Sequence, residues 1–284
     1  MIKIIADTTS GLPRELLASL GIVLIPQIVV FGEQSYRDDT ELDTATFLAK
    51  LRSSRQLPKT AAPPPNLYFP HFEDAIKKGD DVIVIAPSAK VSGTVNSAEV
   101  AARDFPNLKI HVVDSQSIAG NLATMVLLAN QWAREGNSAD VIVQKLNQWI
   151  PRSRTYFLVD TLEYLQKGGR IGNAKALLGE LLQVKPILCL GGGQVQPFEQ
   201  QRTKKRAINR LVEIVEQECP KGAASYICLL QADAKTEADD LARVLKLKLD
   251  VSDIPVYEMP PAIVVHGGPG ILGVAFFATE SPMV

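Results

Sequence analysis

Histidine, cysteine and aromatic residues are scarce in this chain: three histidines, three cysteines and an aromatic share of 6%. Cys189, Cys219 and Cys228 form neither an even set nor a C-x-x-C pair, which excludes a disulfide framework and suits reduced thiols. His71, His111 and His266 are scattered without ligand spacing, so no metal site is expected. Charge of one sign is also lacking. The formal net charge of −1 gives no general attraction to nucleic acid or to an anionic membrane. The longest stretch free of Asp, Glu, Lys and Arg, Met259–Thr279, is broken repeatedly by proline and glycine and does not read as a spanning helix. The chain opens M-I-K-I-I-A-D, a strand pattern rather than a signal peptide, so a cytoplasmic protein is expected. With 46% hydrophobic and 21% charged residues, the 284 residues suit two modest globular domains.

What is present centres on Asp81–Arg103. Val82–Ala86 is a short continuous apolar run, the pattern of a strand buried on both faces of a parallel sheet. Pro87–Gly93 interrupts it and Thr94–Arg103 reads as a helix, which puts free N–H groups at the strand's carboxyl edge. Ser88, Ser92 and Thr94 add hydroxyls there, so the bend can hold an anion or simply cap a helix. Upstream, Ile2–Ala6, Leu12–Leu20 and Ile22–Phe31 form a strand–helix–strand unit. Asp7 stands at the first strand's end as a site residue or helix cap, and Pro26 interrupts the second strand. Leu57–Leu67 carries Pro58, Pro63, Pro64 and Pro65 and reads as a stiff extended loop, with Thr60 its one short hydroxyl. Strands alternate with helices up to Pro151, which predicts an α/β fold with a mainly parallel N-terminal sheet. A smaller C-terminal α/β domain follows, dividing the chain into 1–154 and 155–284. There the expectations are a helix over Ala174–Leu182, a hairpin at Gly191–Gln194, strands over Ala224–Gln231 and Ile271–Phe277, and an apolar strand over Ile263–Val265 that runs into His266.

Three polar groups sit at glycine-rich bends: Ser92 before Gly93, Arg170 after Gly168-Gly169, and His266 before Gly267-Gly268. A hydroxyl, a guanidinium fork and an imidazole together describe an anion site, although each alone is more often structural. A serine-dependent acyl hydrolase using Ser92 and His266 is the alternative. Against it, Lys90-Val91-Ser92-Gly93-Thr94 lacks the first glycine of G-x-S-x-G, and no acid is evident to orient His266. No catalytic residue is therefore assigned. Arg202, Lys205 and Arg206 open a basic helix running to Glu218, which reads as a solvated face or as a docking surface for an acidic partner or membrane headgroups.

These segments, in this order, resemble the DegV family of bacterial fatty-acid-binding proteins, the acyl-carrier subunits of fatty acid kinase. The match runs through D-T-T-S-G-L at 7–12, Tyr36-Arg37-Asp38, Thr60 and V-S-G-T-V-N-S-A at 91–98. It continues through L-E-Y-L-Q-K-G-G-R-I at 162–171, L-L-Q-V-K-P-I-L at 181–188 and H-G-G-P-G at 266–270. The resemblance implies a long-chain fatty acid buried between two α/β domains and no other cofactor. It implies a carboxylate held by Thr60 and Ser92, with Arg170, His266, Gly93 and Thr94 completing the polar end. It also implies presentation to a separate ATP-dependent kinase that makes an acyl-phosphate, the carrier itself doing no chemistry. Where the family usually reads T-S-x-P, this chain has Thr60-Ala61-Ala62-Pro63, so the neighbouring hydroxyl is absent.

Overall fold

The computed structural model describes residues 1–178 and 184–279. Strand β1 (Ile2–Asp7) leads into helix α1 (Arg14–Leu20) and strand β2 (Val23–Ile25). Gly21 ends α1 in the left-handed region, φ 73°, its N–H reaching the carbonyls of Leu17 and Ala18. The predicted strand over Ile22–Phe31 is in fact two. After Pro26 the chain leaves β2 and starts β3 (Ile28–Phe31) in a different sheet. Next come β4 (Gln34–Arg37), α2 (Thr44–Ser53), β5 (Lys59–Ala61), α3 (Phe69–Lys78), β6 (Asp81–Ala86), α4 (Thr94–Arg103) and β7 (Ile110–Asp114). Two long helices, α5 (Ala119–Arg134) and α6 (Ala139–Trp149), close this half.

The first sheet has the order β2-β1-β6-β7, all parallel. Its continuous apolar strands are explained by burial on both sides. Ile4, Ala6, Ile83 and Ile85 face α1, α5 and α6 through Leu17, Met125 and Ile142. Ile5, Val82 and Val84 face α3 and α4 through Phe72 and Ala101. Burying one such side chain contributes about 1.5–3 kcal/mol.

A small antiparallel sheet, β4-β3-β5, stands beside it. It corrects the reading of Leu57–Leu67 as wholly irregular, because Lys59–Ala61 pairs with β3, Val29 opposite Thr60. The prolines flank this edge strand rather than interrupt it, so its own N–H groups are intact.

The second half contributes β8 (Ser153–Leu158), α7 (Glu163–Lys167), β9 (Lys185–Gly191), β10 (Gln194–Gln201) and α8 (Lys204–Glu218). It ends with β11 (Cys228–Ala232), α9 (Lys235–Leu249), β12 (Val256–Glu258), α10 (Pro261–Gly267) and β13 (Ile271–Phe277). Their sheet has the order β10-β9-β8-β13-β11-β12, antiparallel except for β11 with β12. One face packs on α8 and α9 through Leu158, Val274, Leu211 and Leu241. The other, with Phe157, Leu188 and Leu230, packs towards Val29, Phe47 and Ala119 of the first half. Helix α5 touches both halves at close quarters, since a Cβ on Gly120 would lie 2.3 Å from Cys228 Sγ.

Three expectations change here. Ile263–Val265 is helical within α10, because Pro261 occupies the first turn and so short an apolar run carries no period of its own. The strand placed at Ala224 begins only at Cys228, after a 3₁₀ turn over Gly222–Ser225. Of the helix expected over Ala174–Leu182, Gly172–Leu177 forms a 3₁₀ turn, and 179–183 lie outside the described residues. Among the described residues no helix is long and apolar enough to cross a membrane.

Candidate functional site

The carboxyl edge of β6 sorts its hydroxyls into different roles. Ser88 Oγ donates to the carbonyl of Gly193 at 2.6 Å, fastening the loop to the β9–β10 turn, so it is not one of the cavity's hydroxyls. A Cβ on Gly193, where φ is 82°, would lie 2.4 Å from that oxygen. Gly93 is the cap of α4 and supplies no side-chain bond, while the N–H of Thr94 donates to Ser92 Oγ at 3.3 Å. Ser92 thus does partial capping work and still faces the interior.

A cavity enclosing about 930 Å³, part of it open to solvent, lies where residues of the two halves meet. Thr60, Ser92, Gly93, Arg170 and His266 all line it. Thr94 does not; it is buried one layer behind Ser92. Much of the remaining wall is apolar, with Ile118, Phe157, Leu165, Leu190 and Leu230 among its residues. Thr60, Arg170 and His266 also line a solvent cleft of about 1150 Å³ with Arg55, Lys59 and Lys167. The polar arc therefore stands between an apolar interior and a basic opening.

The arc is held together bond by bond. Thr60 Oγ1 and His266 Nε2 are 2.7 Å apart. Arg170 donates from Nε to the carbonyl of Val91 at 3.0 Å and from Nη1 to that of Gly168 at 2.7 Å. Two of its five N–H groups are thereby fixed, which leaves part of the fork for an anion. Burial, and then the charge of Arg170, push the His266 imidazole down to about 4, so it is neutral at pH 7. Its Nδ1 is buried without a hydrogen-bond partner among the described residues. The ring lies so close to Gly168 that a Cβ there would be 2.3 Å from Nδ1. Gly168 thus makes room for the imidazole as well as capping the helix.

Behind Ser92 lies a polar layer only partly visible in the sequence. Ser92 Oγ is 2.9 Å from Thr94 Oγ1, which accepts Gln27 Nε2–H at 2.7 Å and is 3.2 Å from Asp7 Oδ2. Asp7 caps the 3₁₀ turn Thr8–Ser10, as one of its two sequence readings had it, and also anchors this layer. Gln27 and Asp38 were not singled out as site residues. Gln27 stands after a strand-breaking proline, and Asp38 closes the Tyr36-Arg37-Asp38 segment of the family resemblance. Burial pushes the Asp7 carboxyl up to about 6, against hydrogen bonds from Thr9, Gln27 and Thr94. Burial pushes Asp38 up to about 7, and the charge of Asp7 adds to the effect.

The hydrolase alternative finds no support in this geometry. The hydrogen bond of Ser92 goes to Thr94 and that of His266 Nε2 to Thr60. Among the described residues no carboxylate bonds His266 Nδ1. Arg202, Lys205 and Arg206 are exposed at the start of α8, on the sheet face opposite the cavity, and are not part of the arc. Their neighbours Lys204 and Arg210 are committed to ion pairs, with Asp160 and Glu237 and with Glu199 and Glu213.

Comparison with known proteins bears on this arrangement. Residues 1–279 match the model of a family described as uncharacterised proteins of the DegV family. A DegV domain-containing protein of Streptomyces coelicolor is 37% identical, the alignment covering 96% of this chain and 97% of the relative. A fatty-acid-binding DegV family protein from Thermus thermophilus superposes with a TM-score of 0.90 at 32% identity, covering 98% of this chain and 99% of that one. DegV of Bacillus subtilis, described as a fatty acid binding protein, superposes with a TM-score of 0.87 at 31% identity over 98% and 99%.

Proposed function

The chain belongs to the DegV family, and on that premise we propose that it binds a long-chain fatty acid in the cavity between an N-terminal domain, 1–154, and a C-terminal domain, 155–284. Thr60 and Ser92 hold the carboxylate, with Arg170 and His266 beside them. The observation that carries this reading is the polar arc of these four residues at one side of a largely apolar cavity. Relatives of known structure are described as fatty acid binding, which supports it. The acyl tail supplies most of the affinity, about 0.8 kcal/mol per buried CH₂, while the polar end sets direction. No further cofactor is needed, and the protein is a cytoplasmic carrier that performs no chemistry itself.

The carrier presents the carboxylate to a separate ATP-dependent fatty acid kinase, which forms the acyl-phosphate. Presentation needs a route from the polar end to the surface. The cleft lined by Arg55, Lys59 and the Lys167–Glu163 ion pair offers one, with the positive charge of Arg55 and Lys59 suited to a phosphorylated head. The Arg202, Lys205 and Arg206 face is the second candidate for partner or transient membrane contact, though it lies across the sheet from the cavity.

The test is mass spectrometry of an organic extract of the purified protein against a mock purification. Near-stoichiometric long-chain fatty acid is expected. An empty extract, followed by failure of the protein to take up added oleate, would overturn the reading.

A further inference from the structure

Ser92 is the cavity end of a hydroxyl chain whose other end is a buried acid. Asp7, Gln27 and Thr94 are 2%, 3% and 1% exposed. Asp7 Oδ1 accepts from the N–H and hydroxyl of Thr9, and Oδ2 accepts from Gln27 Nε2 and faces Thr94 Oγ1. Thr94 and Ser92 each have a single hydroxyl hydrogen. With Asp7 ionised, the Thr94 hydrogen goes to Oδ2 and the Ser92 hydrogen goes to Thr94. Ser92 then meets the cavity with lone pairs, which repel a carboxylate. With Asp7 protonated on Oδ2, that proton goes to Thr94, the Thr94 hydrogen turns to Ser92, and the Ser92 hydrogen is free for the cavity. One proton at the buried end reverses the whole chain.

We infer that Asp7 is a positioning residue whose protonation makes Ser92 a donor, so that the ligand carboxylate is bound together with one proton taken from solvent. This rests on the carboxylate reading above and deepens it. A second buried acid stands behind the first. Asp38 accepts from Thr8 Oγ1 at 2.8 and 3.0 Å and from the N–H of Gln27 at 2.8 Å, so Gln27 touches both acids. The upward displacement of both carboxyls agrees with a proton being held there near neutral pH, and the uptake belongs to the pair rather than to one residue.

Other ionisable groups surround this pair. Tyr68 is raised by burial and then by the charge of Asp7, and stays neutral. Beyond Asp38 lies the Arg37–Asp39 ion pair, with Glu41 bonded to the N–H of Arg37. Across the cavity stand Arg170 and the neutral His266.

The sign follows from linkage. An acid whose affinity for a proton rises on ligand binding makes binding weaker as pH increases. The experiment titrates delipidated protein with oleate from pH 6.5 to 8.5, where a free carboxyl is ionised. Oleyl alcohol serves as a control without an ionisable head, and calorimetry at pH 7.5 in phosphate and in Tris counts protons. For wild type the oleate Kd should rise towards about tenfold per pH unit at the alkaline end, with net proton uptake, while the alcohol stays flat. Asp7→Asn, which removes the titrating carboxyl, and Thr94→Val, which cuts the chain, should each abolish the oleate slope. A flat wild-type profile without proton uptake, or a folded variant of either kind that keeps the wild-type slope, would overturn the inference while leaving the carrier reading intact. Failure of both oleate and alcohol to bind would instead overturn the carrier reading, and this inference with it.

Discussion

The two walls that meet at the polar arc are built by opposite means. On the Ser92 side, each hydroxyl passes its bond inward until the chain ends on Asp7. On the His266 side, the ring is placed by shape: Gly168 lacks the Cβ that would collide with Nδ1, and that nitrogen has no hydrogen-bond partner among the described residues. Arg170 is anchored to backbone carbonyls rather than to side chains. The first wall is sensitive to charge, the second to volume. Substitutions should therefore fail differently on the two sides.

The largest effect is expected from volume. Gly168→Ala puts a Cβ 2.3 Å from His266 Nδ1 and 2.9 Å from the carbonyl of Tyr164, which has no slack to give. Overpacking of this kind costs about 1–3 kcal/mol, so a lowered melting temperature and a loss of oleate affinity of roughly a hundredfold are expected. Adding His266→Ala to Gly168→Ala should recover part of the melting temperature, since the contact with the Tyr164 carbonyl remains, without restoring affinity. A Gly168→Ala protein with wild-type binding would show that the imidazole's placement does not matter.

An intermediate effect belongs to the other wall. On the proposed carboxylate contact, Ser92→Ala should weaken oleate binding by about 1.5–3 kcal/mol, roughly ten- to a hundredfold, with an unchanged circular dichroism spectrum. An unaltered Kd would remove Ser92 from the carboxylate contact. The smallest effect is expected at Ala61, where the family pattern has a hydroxyl. Neighbouring strand residues point to opposite faces, and in β5 Thr60 lines the cavity whereas Ala61 is exposed. Ala61→Ser should change affinity by less than about twofold, as an exposed surface substitution does.

Much of this was legible in the chain itself. The apolar runs at Ile2–Ala6 and Val82–Ala86 became neighbouring parallel strands. Thr60, Ser92, Arg170 and His266 all reached one cavity, although they lie in four separate segments. The misreadings share a cause. A three-residue apolar run such as Ile263–Val265 has no period with which to tell strand from helix, and Pro261 decided it. Proline-rich flanks concealed β5, whose pairing partner lies far back in sequence. Gln27 carries no motif, and Asp38 only closes the Tyr36-Arg37-Asp38 segment. Their importance arises only when Pro26 turns the chain from one sheet to the next and brings them against Asp7 and Thr8.

That turn also bears on how the protein reaches its structure. Gln27 donates its backbone N–H to Asp38 and its side-chain amide to Asp7, immediately before β3 begins. Shifting β3 by a single residue against β4 and β5 would draw Gln27 away from both carboxyls and put the side chains of β3 on the wrong faces. Each buried acid would then lose its bond from Gln27, at a cost of about 1–3 kcal/mol apiece. The small sheet thus carries its own proofreading: only the register that completes the polar layer allows the chain to close over it.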